Sequence, residues 1–245
     1  MENRRGKEPG FTFILFAILL LLAVLSSCGS IFGGQSSPGN QTAVIDWVNF
    51  VRFGGITYLA ASTKPGRELK DSDLGPVFAT VKFKLDGNEH DPAYKARDGD
   101  AAYLDAGTQV FTVKSYKPIF RLAARLDNQM QLYEADTNPL AHKGADLLDI
   151  GGKVIYVGIN SPQDGVTQLG AIKDPHEVAT LVNMVLQAQV NQKYVSQGSA
   201  QYFITFYLVD GTSVTRAYWL NSGELARGIL LPKAFGTAVV QAVVK

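Results

Sequence analysis

The sequence predicts an α+β fold: a β-rich small barrel or sandwich, then an antiparallel α+β domain of ββ-α-ββ-α layout. Three observations carry this expectation. Residues 76–85 (PVFATVKFKL) alternate apolar and polar side chains with the period of two of a half-buried strand. Residues 174–186 combine an Asp-Pro-His-Glu start with Val178, Leu181, Val182, Val185 and Leu186, the spacing of an amphipathic helix. Asp210-Gly211 sits between two aromatic and β-branched runs, the signature of a hairpin.

The chain opens with Arg4, Arg5 and Lys7, followed by an apolar run over residues 11–25. That run is short of the roughly 20 residues a spanning helix needs. A basic start, an apolar core and small residues before a cut site make a secretory signal. The run ends in Leu25-Ser26-Ser27-Cys28, which resembles the lipobox of bacterial lipoproteins. That resemblance implies cleavage between Ser27 and Cys28, acylation of the Cys28 thiol, and lipid anchoring at the outer face of the cytoplasmic membrane. It implies an address, not an activity. Cys28 is the only cysteine of the 245 residues, so the mature chain forms no internal disulfide.

The expected organisation is a signal peptide over residues 1–27, a tether over 28–43, a β-rich domain over 44–136 and an α+β domain over 146–245. The tether is uncharged and rich in glycine and serine, a flexible composition. Removing Arg4, Arg5 and Lys7 from the 23 basic residues, and Glu2 and Glu8 from the 22 acidic ones, leaves a mature chain of zero net charge. Nucleic acid is therefore not an expected partner, since phosphate binding requires a basic excess.

In the first half, residues 44–51 and 56–62 are candidate strands. Over 76–85, Val77, Ala79, Val81, Phe83 and Leu85 are expected inside, with Phe78, Thr80, Lys82 and Lys84 outside. Residues 107–116 and 120–126 follow. In the latter, Phe120, Leu122, Ala124 and Leu126 share one face, and Arg121 and Arg125 the other. Asp127-Asn128 turns the chain into residues 130–135, because both residue types tolerate the left-handed region. Residues 102–116 resemble the strands of SH3-like barrels at the level of fold. Residues 86–100 form a long polar loop, and 137–145, with Pro139 and Gly144, a linker.

In the second half, Gly151-Gly152 marks a hairpin between residues 147–150 and 153–159. Asp174 caps the helix that follows, with Pro175 at its first position and Glu177 completing a capping box. A two-residue loop at Asp210-Gly211 pairs Val209 with Thr212. This register puts Tyr202, Ile204, Phe206 and Leu208 on a face shared with Ala217 and Trp219, to be covered by the helix. Residues 232–243 start with proline and repeat Phe235, Ala238, Val239 and Ala242, so a second helix is expected. The layout is similar to the small extracytoplasmic α+β domains of Gram-positive lipoproteins.

No catalytic constellation emerges. Gly-x-Ser-x-Gly is absent from the sequence, and Asp210-Gly211-Thr212 is a turn in the wrong order for an aspartic protease. His90, His142 and His176 are far apart and lack metal-ligand spacing. An EF-hand starting at Asp86 requires glycine and glutamate where Asp91 and Arg97 stand. No metal and no cofactor are expected. Lys82, Lys84, Arg121 and Arg125 form a candidate partner surface on outward strand faces. The hairpin's second face, read as Phe203, Tyr207, Val209, Val214 and Tyr218, is too apolar for open solvent and is the other candidate. The expected function is therefore a non-catalytic binding or scaffolding role in the cell envelope, toward an envelope protein or a wall component. The alternatives are an envelope hydrolase using paired carboxylates, and a regulatory ectodomain of a membrane machine.

Overall fold

The computed structural model describes residues 45–194 and 196–244. The signal peptide, the tether and Cys28 lie outside the described residues. By their contacts the described residues form one compact unit, in which two sheets and two α-helices are described.

The first sheet holds β1 (Phe50–Phe53), β2 (Ile56–Ala61), β3 (Leu74–Thr80), β4 (Phe83–Lys84), β5 (Asp100–Ala101), β6 (Gln109–Val113), β7 (Arg121–Leu126) and β8 (Gln129–Thr137). Its order is β3-β6-β7-β8-β2-β1-β5-β4. Neighbours are antiparallel except β4 and β5. The edge strands β3 and β4 are separated in sequence by Val81 and Lys82 alone. The sheet therefore curls into a half-barrel, whose edges are bridged where Val81 N donates to Thr108 O and Lys82 N to Gly99 O. Val51, Tyr58, Val81, Leu122, Ala124 and Tyr133 fill its interior. Asp127 and Asn128 take the left-handed conformation (φ 49° and 62°), and Leu126 pairs with Gln129, as the hairpin reading of that dipeptide requires. Val77 departs from expectation. It is 47 % exposed, because the β3–β6 register shifts on either side of it and turns it out of the alternation.

The second sheet holds β9 (Val154–Asn160), β10 (Gln168–Ile172), β11 (Gln189–Val190), β12 (Tyr202–Leu208), β13 (Ser213–Trp219), β14 (Glu224–Leu225) and β15 (Ile229–Leu230). All its pairs are antiparallel, in the order β10-β9-β12-β13-β14-β15-β11. Helix α1 (Pro175–Gln187) packs on β9, and α2 (Lys233–Val244) on β9 and β10. Asp174 caps α1 by accepting from His176 N and Glu177 N, and Val178, Leu181, Val182 and Val185 are its buried stripe. The largest core joins these helices and the second sheet to Val113, Phe120, Ala123 and Leu132 of the half-barrel. Residues 137–145, read as a linker, are tied down: Asn138 N donates to Gln192 Oε1, and Gly144 N to Ala188 O.

Two further local expectations are corrected. The hairpin across Gly151-Gly152 does not form. Leu147, Leu148 and Ile150 are all buried in the core rather than alternating, and the chain reaches them through a 3-10 turn at Gly144–Asp146. The first ββ unit is instead β9 with β10. The second correction concerns β12 and β13, whose loop has three residues, not two. Gly211 N donates to Leu208 O, Gly211 takes φ +82°, and Leu208 N donates to Thr212 O. This is a turn plus a left-handed glycine, the usual three-residue hairpin loop. The register therefore moves by one: Phe206 pairs with Val214 and Tyr202 with Tyr218. Val214 and Tyr218, not Ala217 and Trp219, share the buried face, and Tyr218 meets Phe235 of α2 edge to face with centroids 5.4 Å apart.

Candidate functional site

The outer face of the half-barrel is not solvated throughout. The tip of the β12–β13 hairpin lies against it, and the contact is polar. Arg121 of β7 is fully buried (0 % exposed) and donates from Nε to Glu134 Oε1 (2.9 Å), from Nη1 to Thr212 Oγ1 (2.9 Å) and from Nη2 to Ser213 O (2.7 Å). Its guanidinium lies 4.7 Å from the Tyr116 ring centre and 4.9 Å from that of Phe120, an arrangement that favours a cation over an aromatic face. Glu134 of β8 gives its second oxygen to Arg216 Nη1 at 2.7 Å. Burial works to raise the Glu134 carboxyl, but the Arg216 and Arg121 guanidinium groups outweigh it and hold the group below its ordinary range. Asp210 continues the seam, accepting from the Tyr116 hydroxyl (2.8 Å) and from the backbone N–H and hydroxyl of Thr212. Arg67 reaches Asp210 O and pairs with Asp73.

Beside this seam a cleft of about 460 Å³ opens between the two sheets, within the size range of small-molecule sites. Its apolar wall is Leu59 and Ala61 of β2, Val166 and Phe203. Its charged residues are Lys64, Glu134, Asp136, Asp164, Arg216 and Arg227. Asp136, two residues on from Glu134 and at the register shift between β2 and β8, also lines the cleft and forms an ion pair with Arg227. Asp164 folds back on its own loop: it accepts from Val166 N, Thr167 N and the Thr167 hydroxyl. The Thr167 hydroxyl, with the loop amides, lowers its pKa. Arg227 holds φ +80° in the β14–β15 turn, a conformation that costs a residue with a Cβ about 1–2 kcal/mol.

This geometry bears on acid–base chemistry. A general acid at neutral pH needs a carboxyl with a raised pKa. Glu134 and Asp164 are shifted the other way, and each oxygen of Glu134 is engaged by a guanidinium. Among the described residues no group of three or more His, Cys, Asp and Glu side chains is placed to hold a metal ion.

The sequence-derived candidates are dispersed. Lys82 is exposed at the crossing between β3 and β4, Lys84 pairs with Asp105 at 3.1 Å, and Arg125 pairs with Asp71. Arg121, expected on the same outward face, is buried in the seam, because the second sheet covers that side of β7. Tyr218, expected on the hairpin's open face, is 1 % exposed, a consequence of the shifted register. Phe203 lines the cleft. Tyr207 stacks on Tyr156, with centroids 4.0 Å apart and planes at 12°. Ser27 and Cys28 lie outside the described residues. Lys64, Glu134, Asp136, Arg216 and Arg227 gave no motif in the sequence. Their one local signal is two carboxylates, Glu134 and Asp136, within the largely apolar stretch of residues 132–135 and its end.

Among the described residues no helix is long and apolar enough to cross a membrane. Comparison of the chain with protein-family models, with curated proteins and with solved structures finds no match.

Proposed function

We propose that the protein is a lipid-anchored, extracytoplasmic lipoprotein whose folded body binds a ligand of the cell envelope without turning it over. The anchor rests on the Leu25-Ser26-Ser27-Cys28 sequence. The observation that carries the binding reading is the state of the cleft carboxylates. Glu134 and Asp136 are held by arginines and Asp164 by its own loop, so the acids serve structure rather than proton transfer. The cleft lies between two sheets and exposes Phe203 and Val166 beside charged groups, the mixture of apolar wall and few polar anchors typical of ligand sites.

Both parts are testable. Mass spectrometry of the chain extracted from membranes is expected to find acylation on Cys28, absent in Cys28→Ala; an acylated Cys28→Ala chain refutes the anchor. Envelope components that raise the melting temperature of the full chain are expected to lose that effect with Phe203→Ser. Turnover of an envelope substrate that disappears in a folded Asp136→Asn chain refutes the non-catalytic reading.

A further inference from the structure

We infer that the cleft recognises an oxyanion, a carboxylate or phosphate monoester, carried on a small apolar body. The inference rests on the binding reading above and adds the class of ligand. Net charge is not the argument, because three cations and three carboxylates line the cleft. What decides is which hydrogen-bonding groups remain unused.

On the acceptor side, both oxygens of Glu134 receive guanidinium donors. Asp136 accepts from the Thr137 hydroxyl at Oδ2, and its Oδ1, which makes no hydrogen bond, is ion-paired with Arg227; Asp164 accepts from Val166 N, Thr167 N and the Thr167 hydroxyl. On the donor side much is unspent. A guanidinium carries five N–H donors and an ammonium three. Arg216 donates from Nη1, to Glu134 Oε2 and Thr215 O; its Nε and Nη2 have no partner among the described residues. Arg227 contacts Asp136 through Nη2, and its remaining donors have no partner among the described residues. The Lys64 ammonium has none either, although it lines the same cleft.

The three cations come from separate elements: the segment after β2, strand β13 and the β14–β15 turn. The fold, not sequence proximity, brings them to one cleft. Arg227 adds a second observation. It occupies a left-handed position where glycine is favoured, and a guanidinium is kept there against the backbone preference. A lining that combines unspent cationic donors with the apolar Leu59, Ala61, Val166 and Phe203 matches a ligand with an anionic head and an apolar body.

The test is calorimetric titration of the full chain in dodecyl maltoside with four probes: phenyl phosphate, benzoate, inorganic phosphate and phenol. At least one aryl anion is expected to bind, about ten-fold or more tighter than phenol and than inorganic phosphate, as one charge-assisted contact gives. If phenyl phosphate alone binds, the head is a phosphate; if benzoate alone, a carboxylate. Arg227→Gly is expected to weaken that probe about ten-fold in a chain that still folds, the relaxed φ of that position offsetting part of the stability lost with the Asp136 ion pair. Lys64→Gln serves as an exposed second variant and is expected to weaken it in the same direction. Failure of both anions to bind overturns the inference, as does wild-type affinity in both variants. Phenol binding as tightly as the anions, and lost in Phe203→Ser, overturns the oxyanion but leaves the cleft as a binding site. Release of phenol from phenyl phosphate overturns the non-catalytic reading instead.

Discussion

Arg121 and Arg125 lie on one strand, four residues apart, and the structure gives them opposite weights. Arg125 pairs with Asp71 at the surface, with side chains 50 % and 69 % exposed. Such a pair contributes about 0–1 kcal/mol. Arg121 is buried with three engaged partners. Arg121→Met leaves Ser213 O without its side-chain donor and Glu134 with Arg216 as its remaining cation. Removing one partner of a buried pair costs about 3–5 kcal/mol. Because Glu134 keeps Arg216, the lower part of that range, about 3 kcal/mol, is expected. For a body of this size that lowers the melting temperature by about 6–12 °C. Arg125→Met should shift it by roughly 2–4 °C at most. The readout is thermal unfolding of the full chain followed by tryptophan fluorescence. pH supplies a second arm. The Glu134 pKa is lowered in the folded state, so its contribution is fully present above the unfolded carboxylate value near 4.3 and is lost as pH falls through the folded value. Removing Arg121 lessens that shift, so the gap between wild type and Arg121→Met should narrow as pH drops below about 4. Equal losses for the two arginine variants at neutral pH, or a gap that widens in acid, would refute the seam as described.

Other expectations are more local. Gly144→Ala places a Cβ 1.9 Å from Val185 O, so the 3-10 turn and the end of α1 must separate; a loss of about 1–3 kcal/mol is expected in the same thermal assay. Asp174→Ala removes the acceptor of His176 N and Glu177 N and should cost about 1 kcal/mol, with faster amide exchange confined to the first turn of α1.

Where local chemistry decides structure, the sequence was readable. Asp174-Pro175 starts α1, and Asp127-Asn128 turns β7 into β8, because a cap and a left-handed turn depend on adjacent residues. Where the outcome hung on one residue of loop length, reading failed. Asp210-Gly211 is compatible with a two-residue or a three-residue hairpin. The choice is made by Asp210 accepting from Thr212 and Tyr116, the latter a residue of the other sheet. That single step moves Val214 and Tyr218 to the buried face and leaves Phe203 on the side of the cleft.

The cleft was hidden for a related reason. Period-two reasoning assigns Arg121 to a polar face and stops there, because a lone sheet has one wet side. Here that side meets a second sheet. A buried arginine is tolerable when its donors are met, and Glu134, Thr212 and Ser213 meet them from positions up to 92 residues away. The same contact sets the site. Arg121 and Arg216 together occupy Glu134 and Arg227 pairs with Asp136, so these carboxylates are spent on ion pairs while guanidinium donors and the Lys64 ammonium in the cleft lining keep no partner among the described residues. A seam that fixes the two sheets against each other thus also determines what the cleft can offer a ligand. Substitutions that strip the seam of an arginine should therefore change stability and ligand preference together, whereas loss of the Lys64 ammonium, which has no partner among the described residues, should change preference alone.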